Sequence, residues 1–205
     1  MRDRSTLLLK ANFHLINVIL MGLCSVFSKP VTREKTRVHT VSLAEFCEER
    51  GNICIYDAGS DSIIEVIEYE PEIFGELRRS HNVSLDQLVS TFAPINNIQA
   101  ITSFQPGSGK SSSFFFFADN KSLVLKTLKD EERSLLLEKG VLSSYSEHVK
   151  ANERSLLSKY LGIFTIRAEN MTDVTCIIMD NLLGKDIASI ERIYDLKGST
   201  KGRHE

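Results

Sequence analysis

Apolar residues near the start of the chain recur at helical spacing. Leu15, Ile16, Ile19, Leu20 and Leu23 fall on one face of a helix. The run Ala11–Phe27 follows Arg2, Arg4 and Lys10, an arrangement shared by signal peptides and membrane spans. Asn12, His14 and Asn17 interrupt it. It is shorter than the roughly 20 residues a span needs, and no small-x-small cleavage site follows. We read it as a helix packed on the protein. Residues 29–40, "KPVTREKTRVHT", are polar and basic and read as a connection. Ser42 with Glu45 makes a capping box, so Ser42–Arg50 reads as a short helix. Two apolar runs on either side of "DAGSDS" read as strands.

The next stretch carries two short helices. Pro71 suits a first helical turn, and Ile73, Phe74 and Leu77 share a face. Ser84 and Gln87 form a second capping box ahead of Leu88, Val89 and Phe92. The pair Arg78–Arg79 reads as a solvated face, with a lipid or phosphate contact as the alternative. After Pro94 the period changes. "NIQAITSF" alternates and reads as a strand. "SFFFFADNKSLVLKTL" reads as two strands joined at Asp119–Asn120. "DEERSLLLEKGVLSSYSEHVK" reads as one helix with Asp130 as its N-cap. A short helix and two strands separated by "AENMTD" follow, and "RIYDLKGSTKGRHE" begins as a strand and ends in a basic tail. The order is α+β, with a mostly antiparallel sheet.

Composition narrows this little. In 205 residues, 42% hydrophobic and 25% charged, there is material for a sizeable core. A net charge of −2 gives no reason to expect a nucleic-acid partner. Cys24, Cys47, Cys54 and Cys176 show neither CxxC spacing nor a histidine at ligand distance, so they read as free thiols and no metal site is expected from them.

The chemistry concentrates at "GSGKS". A Walker A loop needs a first glycine where this chain has Phe104, and a helix where it has Phe114–Phe117. Without a helix N-terminus the dipole that favours phosphate is missing. The other design is a glycine-rich lid followed by a strand lysine that meets the phosphates. Gly107, Ser108, Gly109, Ser111, Ser112 and Ser113 fit the lid, and Lys110 becomes a lid or surface residue. Lys126 lies inside the apolar run "LVLKTL". A lysine buried there needs an anionic partner, and Glu131, Glu132 and Glu138 are the candidates. Alternatively it reaches out from an exposed strand face. Met179, Asp180, Asn181 and Leu182 stand where a hinge would present backbone to adenine, or simply where a core strand ends in a turn.

"IYDLKGSTKGR", Ile193–Arg203, resembles the DLKGS motif of the phosphatidylinositol phosphate kinases. Other segments agree in order. "HLINVILMGLCSVFSK" is similar to that family's opening helix, "EYEPEIFGELRR" to its E-[VI]-F-x-x-[LI]-R segment, "SGKSSSFFFF" with "LKT" to its nucleotide loop and strand, and "IIMDNLL" to its hinge.

The resemblance implies a two-lobed, protein-kinase-like α+β fold. Residues 1–205 would be the N-terminal portion of one kinase domain, truncated before the C-terminal lobe. Within it, 11–92 would be a mainly helical extension, and 94–205 the ATP-binding sheet, hinge and DLKGS segment. It implies that Lys126 is catalytic and binds ATP phosphates, and that Asp195 and Lys197 lie near the cleft, with Lys197 the better phosphate or headgroup contact. Lys201 and Arg203 would extend a basic edge toward an anionic membrane. The implied cofactors are ATP and Mg2+. The implied substrate is a phosphatidylinositol phosphate at the cytoplasmic face of a membrane, the plasma membrane foremost, and a homodimer is compatible.

Two departures stand out. Ser112 replaces a usual glycine. The family's later MDYSLL-like and IID-like motifs, which carry its catalytic-loop and metal-binding aspartates, do not occur in these 205 residues. The expectation is therefore a lipid kinase fragment that binds ATP without turning over alone. The alternative is a non-catalytic half-kinase module that binds nucleotide, lipid or a partner.

Overall fold

The computed structural model describes residues 4–29, 33–42, 63–104, 113–169, 171–184 and 189–192, with side chains from residue 13 onward. The described residues form α1 (Arg4–Phe27), β1 (Thr36–Ser42), β2 (Ile63–Tyr69), α2 (Pro71–Ser80) and α3 (Leu85–Phe92). A 3-10 turn, Pro94–Asn97, leads into α4 (Ile98–Ser103). Then come β3 (Phe115–Phe117), β4 (Leu123–Thr127), α5 (Asp130–Leu137), α6 (Val141–Ala151), β5 (Tyr160–Ala168) and β6 (Val174–Asp180). The strands make one six-stranded sheet, order β1-β2-β5-β6-β4-β3, antiparallel at every pairing.

Period-two alternation gives this sheet two apolar faces. One is covered by α1 and α3. Ile16, Ile19, Leu20 and Leu23 are fully buried there against Ile64, Val66, Phe164 and Leu125. Gly22 permits the close approach: a Cβ would lie 2.9 Å from Val66 Cγ2. The other face packs Ile163 and Ile177 against Phe74 and Leu77 of α2 and Leu142, Tyr145 and Val149 of α6. Because α1 lies in the core, its apolar stripe is used within the fold. No helix among the described residues is long and apolar enough to cross a membrane.

Several expectations hold. The β3–β4 hairpin turns at Asp119–Asn120, and Ser84 caps α3 with Gln87 answering reciprocally. Others are corrected. The basic stretch read as a connection runs into β1, which starts at Thr36 and whose Val41 is buried against the core. "NIQAITSF" is helical. Buried Asn97 donates to Thr91 O and Ala93 O and accepts from Asp119 N–H, while Asp119 Oδ1 accepts Ala100 N–H. These bonds hold a turn that overrides the alternation. The helix expected over Asp130–Lys150 is two helices, broken at Gly140 (φ 75°) in the left-handed region. The N-cap of α5 is Lys129, not Asp130. The short helix expected after α6 is replaced by turns. The expected helix after Ser42, the apolar run before "DAGSDS" and the strand at Ile193 lie outside the described residues.

Arg78 is the further correction. It is 3% exposed, not a solvated residue. β5 shifts register between Tyr160 and Gly162, leaving Leu161 as the extra residue of a bulge. Arg78 Nη1 donates to Leu161 O at 2.8 Å, supplying the partner that the ladder does not. Burial lowers the guanidinium to about 10, opposed by nearby Glu68, so Arg78 stays charged at neutral pH.

Candidate functional site

Lys126 sits on β4 between β3 and β6, opposite Phe115 on one side and Ile177 on the other. After Thr127 the chain turns at once into α5. Lys129 N–H donates to Glu132 Oε2 at 2.9 Å, which orients the carboxylate. Lys126 Nζ then donates to Glu132 Oε1 at 2.7 Å. Of the three candidate carboxylates, Glu132 is the partner. Glu138 instead receives the Ser134 hydroxyl and faces Arg133. Partial burial pushes the Glu132 carboxyl up. The hydrogen bonds from Lys126 and from Lys129 N–H outweigh it and hold the group below its ordinary range.

The pair leaves chemistry to spare. Lys126 has three N–H donors and its side chain is 21% exposed. The carboxylate holds the ammonium in place, and the remaining donors can meet an anionic oxygen. Strand register adds Phe115, Phe117 and Val124, which were not candidates from sequence; together with Met179 they share the sheet face of Lys126. Phe115 and Phe117 are stacked at 6.5 Å and about half exposed, while Phe116 points into the core. The signal was available: positions two apart in "FFFF" and in "LVLK" share a face.

β6 delivers Met179, Asp180, Asn181 and Leu182 to the end of this face. Asn181 N–H donates to Ser122 O, and Asn181 Nδ2 to Lys121 O, tying the segment to the β3–β4 turn. Asp180 N–H bonds Lys159 O, and Leu183 N–H reaches Asn181 Oδ1. Leu182 N–H has no partner among the described residues, and the residue is 68% exposed.

Gly107, Ser108, Gly109, Lys110, Ser111 and Ser112 lie outside the described residues, as do Asp195, Lys197, Lys201 and Arg203. Cys24 and Cys176 are buried free thiols, and burial pushes the Cys176 thiol up. Cys47 and Cys54 lie outside the described residues. Among the described residues no three His, Cys, Asp or Glu side chains converge on a metal position.

The family model described as Phosphatidylinositol-4-phosphate 5-Kinase matches residues 97–205. A probable phosphatidylinositol phosphate kinase of Dictyostelium discoideum is 32% identical over 156 residues, 76% of this chain and 21% of that protein. Phosphatidylinositol 4-phosphate 5-kinase its3 of Schizosaccharomyces pombe is 34% identical over 137 residues, 66% of this chain and 17% of that protein. Phosphatidylinositol 4-phosphate 5-kinase 7 of Arabidopsis thaliana is 32% identical over 136 residues, again 66% and 17%. The chain thus spans about a fifth of the length of the relatives it matches.

Proposed function

Because the chain belongs to the phosphatidylinositol-4-phosphate 5-kinase family, we propose that it forms the nucleotide-binding part of a lipid kinase that moves the ATP γ-phosphate to an inositol ring hydroxyl of a phosphatidylinositol phosphate. The observation that carries this is the Lys126–Glu132 pair at 2.7 Å on a strand followed directly by an acidic helix. A lysine held by a carboxylate places positive charge where ATP phosphates need it. In this reading Gly107–Ser113 cover the phosphates. Val124 and Met179 line the base, and the Leu182 N–H donates to it.

The described residues present no carboxylate cluster for Mg2+, so no step is assigned to the metal here. Asp195 and Lys197 are proposed to stand at the phosphate or headgroup. Lys201 and Arg203 would face an anionic membrane on the cytoplasmic side. β1 is an edge strand among the described residues, and pairing there with a second copy would give a homodimer. Phosphoryl transfer rests on positioning together with metal and charge stabilisation. We expect residues 1–205 alone to bind nucleotide without phosphorylating lipid.

The test is a titration of the 205-residue chain with a fluorescent ATP analogue, alongside an assay on phosphoinositide vesicles. Saturable binding that weakens about tenfold or more in Lys126→Met supports the reading. Binding unchanged by Lys126→Met would remove the lysine from the site. Lipid phosphorylation by the chain alone would overturn the expectation of no turnover. Nucleotide binding without turnover when the rest of a relative's kinase domain is supplied would favour the non-catalytic module.

A further inference from the structure

The Asp180 carboxylate lies at the strand-end segment yet points back into the protein. Its Oδ1 accepts the Ser158 hydroxyl at 2.7 Å and Lys159 N–H at 2.7 Å. Its own N–H bonds Lys159 O at 3.1 Å, closing a reciprocal pair between β6 and the turn before β5. That turn is anchored in turn by α6. Tyr145 O–H donates to Ser158 O at 2.9 Å and accepts Tyr160 N–H at 2.9 Å. The rings of Tyr145 and Tyr160 stack at 4.6 Å. On the other side of the segment, Asn181 grips the β3–β4 turn through Lys121 O and Ser122 O.

We propose that Asp180 is a positioning residue: its carboxylate braces residues 180–183 against α6 through Ser158 and Lys159, and so sets where the Leu182 N–H points. The proposal rests on the nucleotide-binding reading above for its functional meaning. The geometry supplies the rest. A carboxylate oxygen with two donors at 2.7 Å makes two charge-assisted bonds. One is to the backbone amide of Lys159. The brace also joins the two halves of the site. α6 packs against α5, which carries Glu132, so one hydrogen-bonded turn links the lysine's partner to the strand end. A shift of this turn would move Leu182 relative to Lys126. The base and phosphates of a nucleotide would then no longer be met together.

The test uses the 205-residue chain with Asp180→Ala, Asp180→Asn and Ser158→Ala. Amide hydrogen exchange, read without nucleotide, reports the brace directly. Asp180→Ala should speed exchange about tenfold at Lys159 and also at Asn181, whose N–H bonds Ser122 O instead of Asp180. Asp180→Asn keeps an accepting oxygen and should restore most of the protection. Wild-type exchange at Asn181 in Asp180→Ala would overturn the proposal. The second readout is affinity for an ATP analogue. Ser158→Ala should weaken it about threefold, and its effect should largely vanish in the Asp180→Ala background. Additive effects of the two changes would mean that Asp180 meets the nucleotide itself, which also overturns the brace. If the unaltered chain binds no ATP analogue, the nucleotide reading fails, and the exchange measurement still decides whether Asp180 positions the segment.

Discussion

Lys126 Nζ and Glu132 Oε1 lie 2.7 Å apart, six residues apart in sequence, across the turn from β4 into α5. Lys129 N–H holds the other carboxylate oxygen. With 43% of the Glu132 side chain exposed, water screens the pair, and its value lies in placing the ammonium more than in stability. Glu132→Gln should therefore weaken ATP-analogue binding about fivefold, the equivalent of roughly 1 kcal/mol. Glu131→Gln and Glu138→Gln should leave it near the unaltered value. Equal losses from all three would point to a general charge effect instead of one partner.

The same carboxylate has a pH signature. Its folded value is depressed, so its contribution is complete above the ordinary value of 4.5 and is lost as pH falls through the lower folded value. The stability difference between the unaltered chain and Glu132→Gln should be flat at neutral pH and shrink only under acid. Carbon-detected NMR titration of the Glu132 carboxyl should give a midpoint below 4.5. A midpoint above it would mean that burial, not Lys126, dominates.

Arg78 is predicted to matter for the fold. Removing it leaves Leu161 O without its donor in the bulge and strips a cation lying 6.0 Å from the Phe27 ring centroid. Arg78→Ala should destabilise the chain by about 2–3 kcal/mol in denaturant unfolding. Arg78→Lys should recover little, because a point charge lacks the guanidinium's planar reach. Unfolding free energies within about 0.5 kcal/mol of the unaltered chain would show the bulge to be satisfied without it.

Gly162 closes the bulge under Phe164. A Cβ there would sit 2.4 Å from Phe164 Cε2 and 2.7 Å from Cζ. That ring is fully buried and packed edge-on against Phe27 at 5.5 Å, so it has nowhere to go. Gly162→Ala should cost about 1–3 kcal/mol, measured as a drop in the urea midpoint. A smaller loss would show that Phe164 and Phe27 can repack together.

Local chemistry in the sequence carried much of the architecture. The i, i+3, i+4 stripe of α1, the Ser84–Gln87 box and the alternation around Asp119–Asn120 each act within a few residues, so each was legible there. Lys126 was legible for the same reason: an ammonium between leucine and threonine in a strand demands a partner, and three glutamates followed within reach. The choice of Glu132 was not legible, because it depends on the turn that aims one helix position at the strand. "NIQAITSF" misled because Asn97 and Asp119 lock a helical turn from 22 residues apart. Arg78 misled because the carbonyl it serves is 83 residues away. Asp180 could be placed at the strand end from sequence, but the direction of its carboxylate could not. Periodicity, caps and turn residues act through neighbours along the chain, so the sequence by itself determined the elements. Side-chain pairing across the sheet and between helices depends on distances that exist only after packing, so the tertiary structure alone decided which charges meet.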